Sequence, residues 1–141
     1  MIKRILNLKP CQNSLFLFGP RQTGKTFLIK NQLNPDFFIN LLDYQEWTRF
    51  SKDPTILSKE INLKYSTKKD FLIVIDEIQR CPELLNEAHL LMDQYPSGQF
   101  VLTGSSARKL RRSGANLLAG RAFTFYLHPL IHEEWKEYCS L

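Results

Sequence analysis

The 141-residue chain has no long hydrophobic run, and its most apolar stretches, such as residues 71–75, are far too short to cross a bilayer. Its basic first residues, 1–7, contain no apolar signal core. Cysteine is scarce as well: Cys11, Cys81 and Cys139 are scattered and form no C-x-x-C pair, which argues against a disulfide framework and a cysteine zinc site. We therefore expect a cytoplasmic protein with reduced thiols and no membrane partner.

Internal repeats and low-complexity segments are also absent, so we expect one domain over residues 1–141. The hydrophobic fraction of 43% and the charged fraction of 23% are ordinary for a globular protein, and the length allows a sizeable core. The net charge of +5 permits binding to nucleotides or nucleic acid but identifies neither.

A glycine-bounded loop follows the first apolar run, residues 15–18. It reads Gly19-Pro20-Arg21-Gln22-Thr23-Gly24-Lys25-Thr26, which fits the phosphate-binding pattern G-x-x-x-x-G-K-T. Glycines at both ends let backbone N–H groups approach a triphosphate closely, and the helix beginning near Gly24 directs its positive dipole end toward it. We expect Lys25 to reach the β- and γ-phosphates and the Thr26 hydroxyl to hold Mg²⁺.

Two carboxylates, Asp76 and Glu77, directly follow the apolar run 71–75, which has the pattern of a strand buried on both faces. Asp76 is predicted to complete the Mg²⁺ shell, directly or through water. Glu77 is suited to orient or deprotonate a water that attacks the γ-phosphate. The alternative is a solvated strand end or a helix N-cap, but the apolar strand and the upstream loop favour the metal and base roles.

Thr103 and Ser105 follow another apolar run, so they are expected at the same end of the sheet. One of them could hydrogen-bond the attacking water or the γ-phosphate. The alternative is a polar turn that satisfies its own backbone, and the sequence does not choose between the two side chains.

Apolar runs and breakers alternate along the chain, which predicts an α/β fold with helices on both faces of a sheet. The predicted strands are 15–18, 37–42, 71–75, 99–103 and 122–127. The predicted helices are 1–8, 25–32, 53–61 with Asp53 as its N-cap, one that begins near Cys81-Pro82 and one from Pro129 onward.

Four segments carry a resemblance to a known family. They are residues 19–26, Ile75-Asp76-Glu77-Ile78-Gln79, Leu102-Thr103-Gly104-Ser105-Ser106, and Leu118-Ala119-Gly120-Arg121 with residues 129–134 after it. Together they resemble the predicted bacterial and archaeal AAA-type ATPases. The resemblance implies a P-loop NTPase three-layer sandwich on a mostly parallel five-stranded sheet, the additional-strand core. It further implies Walker A at 19–26, Walker B at 71–77 and sensor 1 near 103–105. Because such proteins usually continue into a C-terminal domain, we expect that domain and the helical lid to be missing here.

Arg121 is the arginine finger that this resemblance implies, since it stands just ahead of the predicted fifth strand. The amino end of a parallel strand lies at the edge opposite the phosphates. Arg121 is therefore expected to act on the nucleotide of a neighbouring subunit, which requires a homo-oligomer. The alternative is a surface arginine paired with a carboxylate.

The densest basic cluster consists of Arg108, Lys109, Arg111 and Arg112. It could contact nucleic-acid phosphates, although a solvated helix or loop face is the simpler interpretation.

Taken together, the sequence predicts a Mg²⁺-dependent ATP-binding protein that hydrolyses ATP. The choice of ATP over GTP rests on the resemblance, and no N-K-x-D guanine signature is present. Other functions stay open: a nucleotide-gated binding module or truncated remnant that does not hydrolyse, a nucleic-acid-binding protein, and a P-loop kinase. The water-directed Glu77 disfavours the kinase.

Overall fold

Five parallel strands form the centre of the molecule. The computed structural model describes residues 2–65, 67, 70–112 and 120–139. The strands are β1 (Leu15–Phe18), β2 (Phe37–Asn40), β3 (Leu72–Asp76), β4 (Gln99–Gly104) and β5 (Phe123–Tyr126). The helices are α1 (Lys25–Gln32), α2 (Tyr44–Lys52), α3 (Ile56–Tyr65), α4 (Leu84–Gln94), α5 (Ala107–Arg112) and α6 (His132–Cys139), with a short 3₁₀ helix at Ile78–Arg80.

The strand order is β2-β3-β4-β1-β5, and every pairing is parallel. All carboxyl ends therefore meet at one edge of the sheet. Along that edge β1 lies between β4 and β5, and β4 separates it from β3. Ligands of open α/β sheets bind at this edge, so the loop after β1 has strand ends on both sides.

Alternate side chains of the strands enter two separate cores. Phe16 and Phe18 of β1 pack toward α2, α3, α4 and α5, in a core centred on residues such as Phe50 and Leu84. Leu15 and Leu17 pack on the other face, against α1. Because successive residues of a strand point to opposite faces, an apolar run with both faces covered is what a three-layer sandwich requires. The predicted α/β class and five-stranded sheet are confirmed.

The N-terminal segment is not the predicted helix 1–8, so that prediction was wrong. Its backbone hydrogen bonds go to side chains of other elements instead. Leu8 N–H donates to Gln32 Oε1 at 2.6 Å, and the Leu6 carbonyl accepts from Gln32 Nε2 at 2.8 Å. Leu8 is fully buried against α1 in this way. The apolar spacing that suggested a helix reflects a segment packed along α1.

The helix predicted over residues 53–61 also has different boundaries in the structure. Asp53 does not begin α3 directly, because its carboxylate accepts from Thr55 N–H at 3.1 Å within a turn, and α3 runs from Ile56 to Tyr65. Asp43 is a true N-cap, since its carboxylate accepts from Gln45 N–H at 2.8 Å where α2 begins.

Leu118 and Ala119, quoted for the family resemblance, lie outside the described residues. None of the described helices is long and apolar enough to span a membrane.

Candidate functional site

The loop of residues 19–26 leaves the end of β1 and leads into α1. Its two glycines are needed for different reasons. A Cβ on Gly19 would lie 2.2 Å from the carbonyl oxygen of Leu127, so the close approach of the backbone after β5 excludes any side chain there. Gly24 precedes α1 with φ of 87°, a left-handed conformation that favours glycine. The sequence had assigned both glycines to the approach of a phosphate.

Lys25 is almost completely buried, with 5% of its surface exposed. Its ammonium donates to the carbonyl oxygens of Gly19 at 2.7 Å and Pro20 at 2.9 Å. Burial lowers the pKa of Lys25, while the nearby Glu77 and Asp76 oppose that shift. The Thr23 hydroxyl also donates to Pro20, at 2.8 Å. The ammonium is thus held at the mouth of the loop.

Asp76, at the end of β3, joins the loop to the neighbouring strand. The Thr26 hydroxyl donates to Asp76 Oδ2 at 2.9 Å, and the Thr103 hydroxyl donates to Oδ1. The structure therefore brings together the two oxygen ligands that the sequence predicted for Mg²⁺. No group of three or more His, Cys, Asp or Glu side chains that could hold a metal occurs among the described residues. A carboxylate and a hydroxyl fit Mg²⁺ in nucleotide sites, where phosphates and waters supply the other ligands.

Thr103 is fully buried in β4, and its hydroxyl has two partners. It donates to Asp76 and accepts from the backbone N–H of Glu77 at 3.0 Å. Glu77 has φ of 62°, an uncommon conformation for a residue other than glycine, and its carboxylate accepts a hydrogen bond from the Gln79 side chain. Thr103 therefore fixes the backbone that carries both carboxylates. Ser105, in contrast, is half-buried and lines a cavity beside Gly19.

Arg121 lies two residues before β5, at the amino edge of the sheet. Its Nε donates to Asp93 Oδ1 at 3.0 Å, near the end of α4. Within its own chain Arg121 is therefore at the edge opposite the loop. In the basic cluster on α5, all four cationic side chains are exposed, while Ala107 and Leu110 form the buried face of the helix.

An ion pair that sequence reasoning missed joins the two ends of the described chain. Arg4 Nε lies 2.9 Å from Glu134 Oε1, and the two side chains are only 11% and 4% exposed. The same guanidinium donates to the Thr23 carbonyl of the loop at 2.7 Å and to the His128 carbonyl at 2.5 Å. Arg4 thereby ties the N-terminal segment, the loop and the connection to α6 together.

Glu134 is held from three sides. Besides Arg4, the backbone N–H groups of Ile5 and Ile131 donate to its carboxylate, at 2.9 and 3.2 Å. Burial acts to raise the pKa of Glu134, but these hydrogen bonds together with Arg4 outweigh it and lower the pKa. Residues 129–134 were quoted only for the family resemblance, and 130 residues of separation leave no local signal for the pair.

A cavity of about 620 Å³ lies beside this ion pair, between the N-terminal segment, α1 and α6. Arg4 and Glu134 line it, together with the exposed Phe27, which directly follows Thr26. The sequence had identified no pocket for a nucleobase.

Residues 12–136 match a protein-family model described as AAA domain. No curated protein shows a significant match to the chain. One similar solved structure is that of the Aeropyrum pernix Orc1 protein in complex with DNA, with a TM-score of 0.55 and 12% sequence identity. The alignment covers 89% of this chain and 42% of that chain, so the present chain spans less than half of its length. At this identity the likeness concerns the fold alone.

Proposed function

The chain belongs to the family described as AAA domain, and we propose that it is a Mg²⁺-dependent ATPase whose site is the loop of residues 19–26. The observation that carries the proposal is the hydrogen-bonded chain from Thr26 through Asp76 to Thr103 beside the buried Lys25. In this proposal the protein works in the cytoplasm, on cytoplasmic ATP.

The phosphates would be held by backbone N–H groups of residues 19–26 and by the start of α1. Lys25 would exchange its carbonyl partners, Gly19 and Pro20, for β- and γ-phosphate oxygens, which are stronger acceptors because they are charged. Bound phosphates would also favour the ammonium form of Lys25, whose pKa burial lowers. We propose that the base occupies the 620 Å³ cavity beside Phe27.

Thr26 and Asp76 would hold Mg²⁺, which supplies positive charge to the phosphate oxygens when it is bound. Thr103 fixes the orientation of Asp76 through its hydroxyl, so its role is to position the carboxylate. Ser105 is the more accessible of the two polar side chains after β4, and we propose that it contacts the attacking water or the terminal phosphate.

Glu77 is the proposed base. As the water oxygen forms its bond to the terminal phosphorus, Glu77 accepts a proton from that water, and the bond from phosphorus to the bridging oxygen breaks. The electron pair of the broken bond leaves with ADP. The Gln79 side chain orients Glu77 by donating to one carboxylate oxygen. The left-handed backbone at Glu77 and the Thr103 contact to its N–H support a defined direction for this side chain.

The test is nucleotide binding and hydrolysis by matched variants. Lys25→Ala should lose ATP affinity by at least about tenfold, since a charged hydrogen-bond donor to phosphate is removed. Lys30→Ala, on the exposed end of the same helix, should bind like wild type. Glu77→Gln should bind ATP and lose hydrolysis by about 100-fold or more. Equal affinity of Lys25→Ala and wild type would refute the site.

Arg121 is proposed to act on the nucleotide of a neighbouring subunit, because it lies at the edge opposite its own loop. Arg121 would first have to leave Asp93. Mixing Arg121→Ala with Glu77→Gln should restore part of the hydrolysis that each variant lacks, since a mixed oligomer contains complete sites. The oligomeric state of the wild-type protein would be measured by light scattering under the conditions of the ATPase assay. Hydrolysis by a protein that is monomeric there would exclude this role.

A non-hydrolysing nucleotide-gated module is the first alternative. It predicts ATP binding without turnover by the wild-type chain. A nucleic-acid-binding function is the second, and the exposed cationic face of α5 favours it. That alternative predicts binding to a fluorescent oligonucleotide that weakens steeply with added salt and with charge-removing substitutions on α5.

A further inference from the structure

A second, smaller cavity of about 330 Å³ opens beside the start of the loop, at Gly19 and Pro20. We call it the arginine cavity. It is lined by residues from the end of β1 and the loop, the start of α5 and the segment after β5: Phe18, Gly19, Pro20, Ser105, Ser106, Ala107, Arg108, Arg111, Tyr126, Leu127 and His128.

The charged side chains that line the arginine cavity are all positive. Arg108 and Arg111 are three residues apart on α5, so both lie on the same side of the helix and both line the cavity. Its lining contains no carboxylate. Within the described part of the chain, neither arginine forms an ion pair. Two guanidinium groups that have no carboxylate partner among the described residues, over one concave surface, favour an anion with several oxygens.

The arginine cavity and the Lys25 ammonium share a wall. The carbonyls of Gly19 and Pro20 that accept from Lys25, at 2.7 and 2.9 Å, belong to residues that line the cavity. Asp76 ends β3, which is separated from β1 by β4, whereas the cavity also borders the end of β5 on the opposite side of β1. A phosphate at the mouth of the loop would therefore border the arginine cavity, whose lining extends from the residues after β4 to the end of β5.

We propose that the arginine cavity binds a phosphoryl group at the end of the nucleotide, with Arg108 and Arg111 as its cationic ligands. This inference rests on the proposed function. The group is either the terminal phosphate of bound ATP or the inorganic phosphate that hydrolysis releases. In both forms it has the tetrahedral oxygens that a guanidinium fork binds well. Arginines of the same chain thus act at the site, beside any arginine from a neighbour.

Helix α5 supplies matched controls for the experiment. Arg108→Gln and Arg111→Gln remove one charge from the cavity, whereas Lys109→Gln and Arg112→Gln remove one charge from the same helix outside its lining. We would measure the dissociation constants of ATP and ADP for all four variants and wild type by competition with a fluorescent nucleotide. Thermal unfolding without nucleotide checks that each variant is folded. We expect all four to fold, because the replaced side chains are exposed.

In each cavity variant the affinity for the ligand that carries this phosphate, either ATP or inorganic phosphate, should fall about tenfold. The two control variants should bind both ligands like wild type. A fall in the ratio of ATP to ADP affinity identifies the phosphate of bound ATP. An unchanged ratio, with weaker binding of inorganic phosphate to the ADP complex, identifies the released phosphate. Equal effects of all four variants, or none from the cavity pair, would overturn the inference but leave the proposed function intact. A wild-type chain that binds no nucleotide would overturn both.

Discussion

Removing Arg4 should destabilise the protein far more than removing an exposed ion pair. The substitution Arg4→Met keeps an unbranched apolar stem but deletes the guanidinium and its hydrogen bonds to Glu134, Thr23 and His128. Removing one partner of a buried pair costs about 3–5 kcal/mol, because the other charge stays buried. Glu134 retains two backbone N–H donors, so we expect the lower end of that range, about 3 kcal/mol.

The assay is urea unfolding at neutral pH, with Arg49→Met as the control. Arg49 has two carboxylate partners, Glu46 and Glu60, whereas Arg4 has one, but the side chain of Arg49 is 34% exposed. We therefore expect that variant to lose about 1 kcal/mol or less in unfolding free energy. The loss in Arg4→Met corresponds to a fall of roughly 9 °C in melting temperature, at about 3 °C per kcal/mol for a chain of this size. Equal losses in the two variants would refute the reasoning.

The same ion pair predicts a pH dependence with a defined sign. The pKa of Glu134 is lower in the folded protein than its ordinary value. Its contribution to stability is therefore present above the unfolded pKa, about 4.3, and is lost as the pH falls through the folded pKa. Glu134→Gln lacks this contribution, so its unfolding free energy should approach that of wild type in acid. A difference that stays constant from pH 7 to pH 2 would contradict the burial and contacts assigned to Glu134.

Three further predictions concern single positions. Gly19→Ala should cost about 1–3 kcal/mol of unfolding free energy, because its Cβ would meet the Leu127 carbonyl at 2.2 Å, and an unchanged urea midpoint would contradict this. Thr103→Val should cost about 1–3 kcal/mol, since Asp76 and a backbone N–H each lose a partner, whereas Thr103→Ser should restore most of it. Burial raises the pKa of Cys81 to about 11, so with the other cysteines replaced by serine its thiol should resist labelling at pH 8 until the protein unfolds.

Sequence reasoning predicted the sheet well because the strands carry a strong local signal. Residues 71–75 are apolar at each position, and such a short run between breakers is typical of a strand with both faces covered. Glycine and proline then mark the ends of these runs. Since parallel strands end at one edge, the loop of residues 19–26, Asp76 and Thr103 could be expected near each other without a structure.

The N-terminal segment shows where local reasoning fails. Its apolar spacing resembles a helix, yet its backbone hydrogen bonds go to Gln32 and Glu134, far away in sequence. A pattern within eight residues has no information on such partners. The role of Arg4 was missed for the same reason, because its acceptors come from the loop, from the connection after β5 and from α6.

The sequence left open whether Thr103 or Ser105 faces the nucleotide, and burial separates them. Both stand within three residues at the end of β4, where a hydroxyl pattern alone is ambiguous. Thr103 lies inside the sheet, with both of its hydrogen-bonding roles used by Asp76 and Glu77. Ser105 lies after the last strand residue, on the cavity wall. Tertiary position, which the pattern does not encode, therefore favours Ser105 for the proposed contact with the nucleotide.

The position of β1 between β4 and β5 connects these observations. Through β4, the loop reaches Thr103 and the carboxylate of Asp76. On the β5 side, the loop contacts the segment that follows β5. The backbone of that segment lies so close to Gly19 that this position can have no side chain. The arginine cavity is lined by residues from both sides of this contact. A larger residue at position 19 would separate β5 from the loop and would displace one wall of the cavity. Glycine at that position is therefore expected to matter both for stability and for the shape of the arginine cavity.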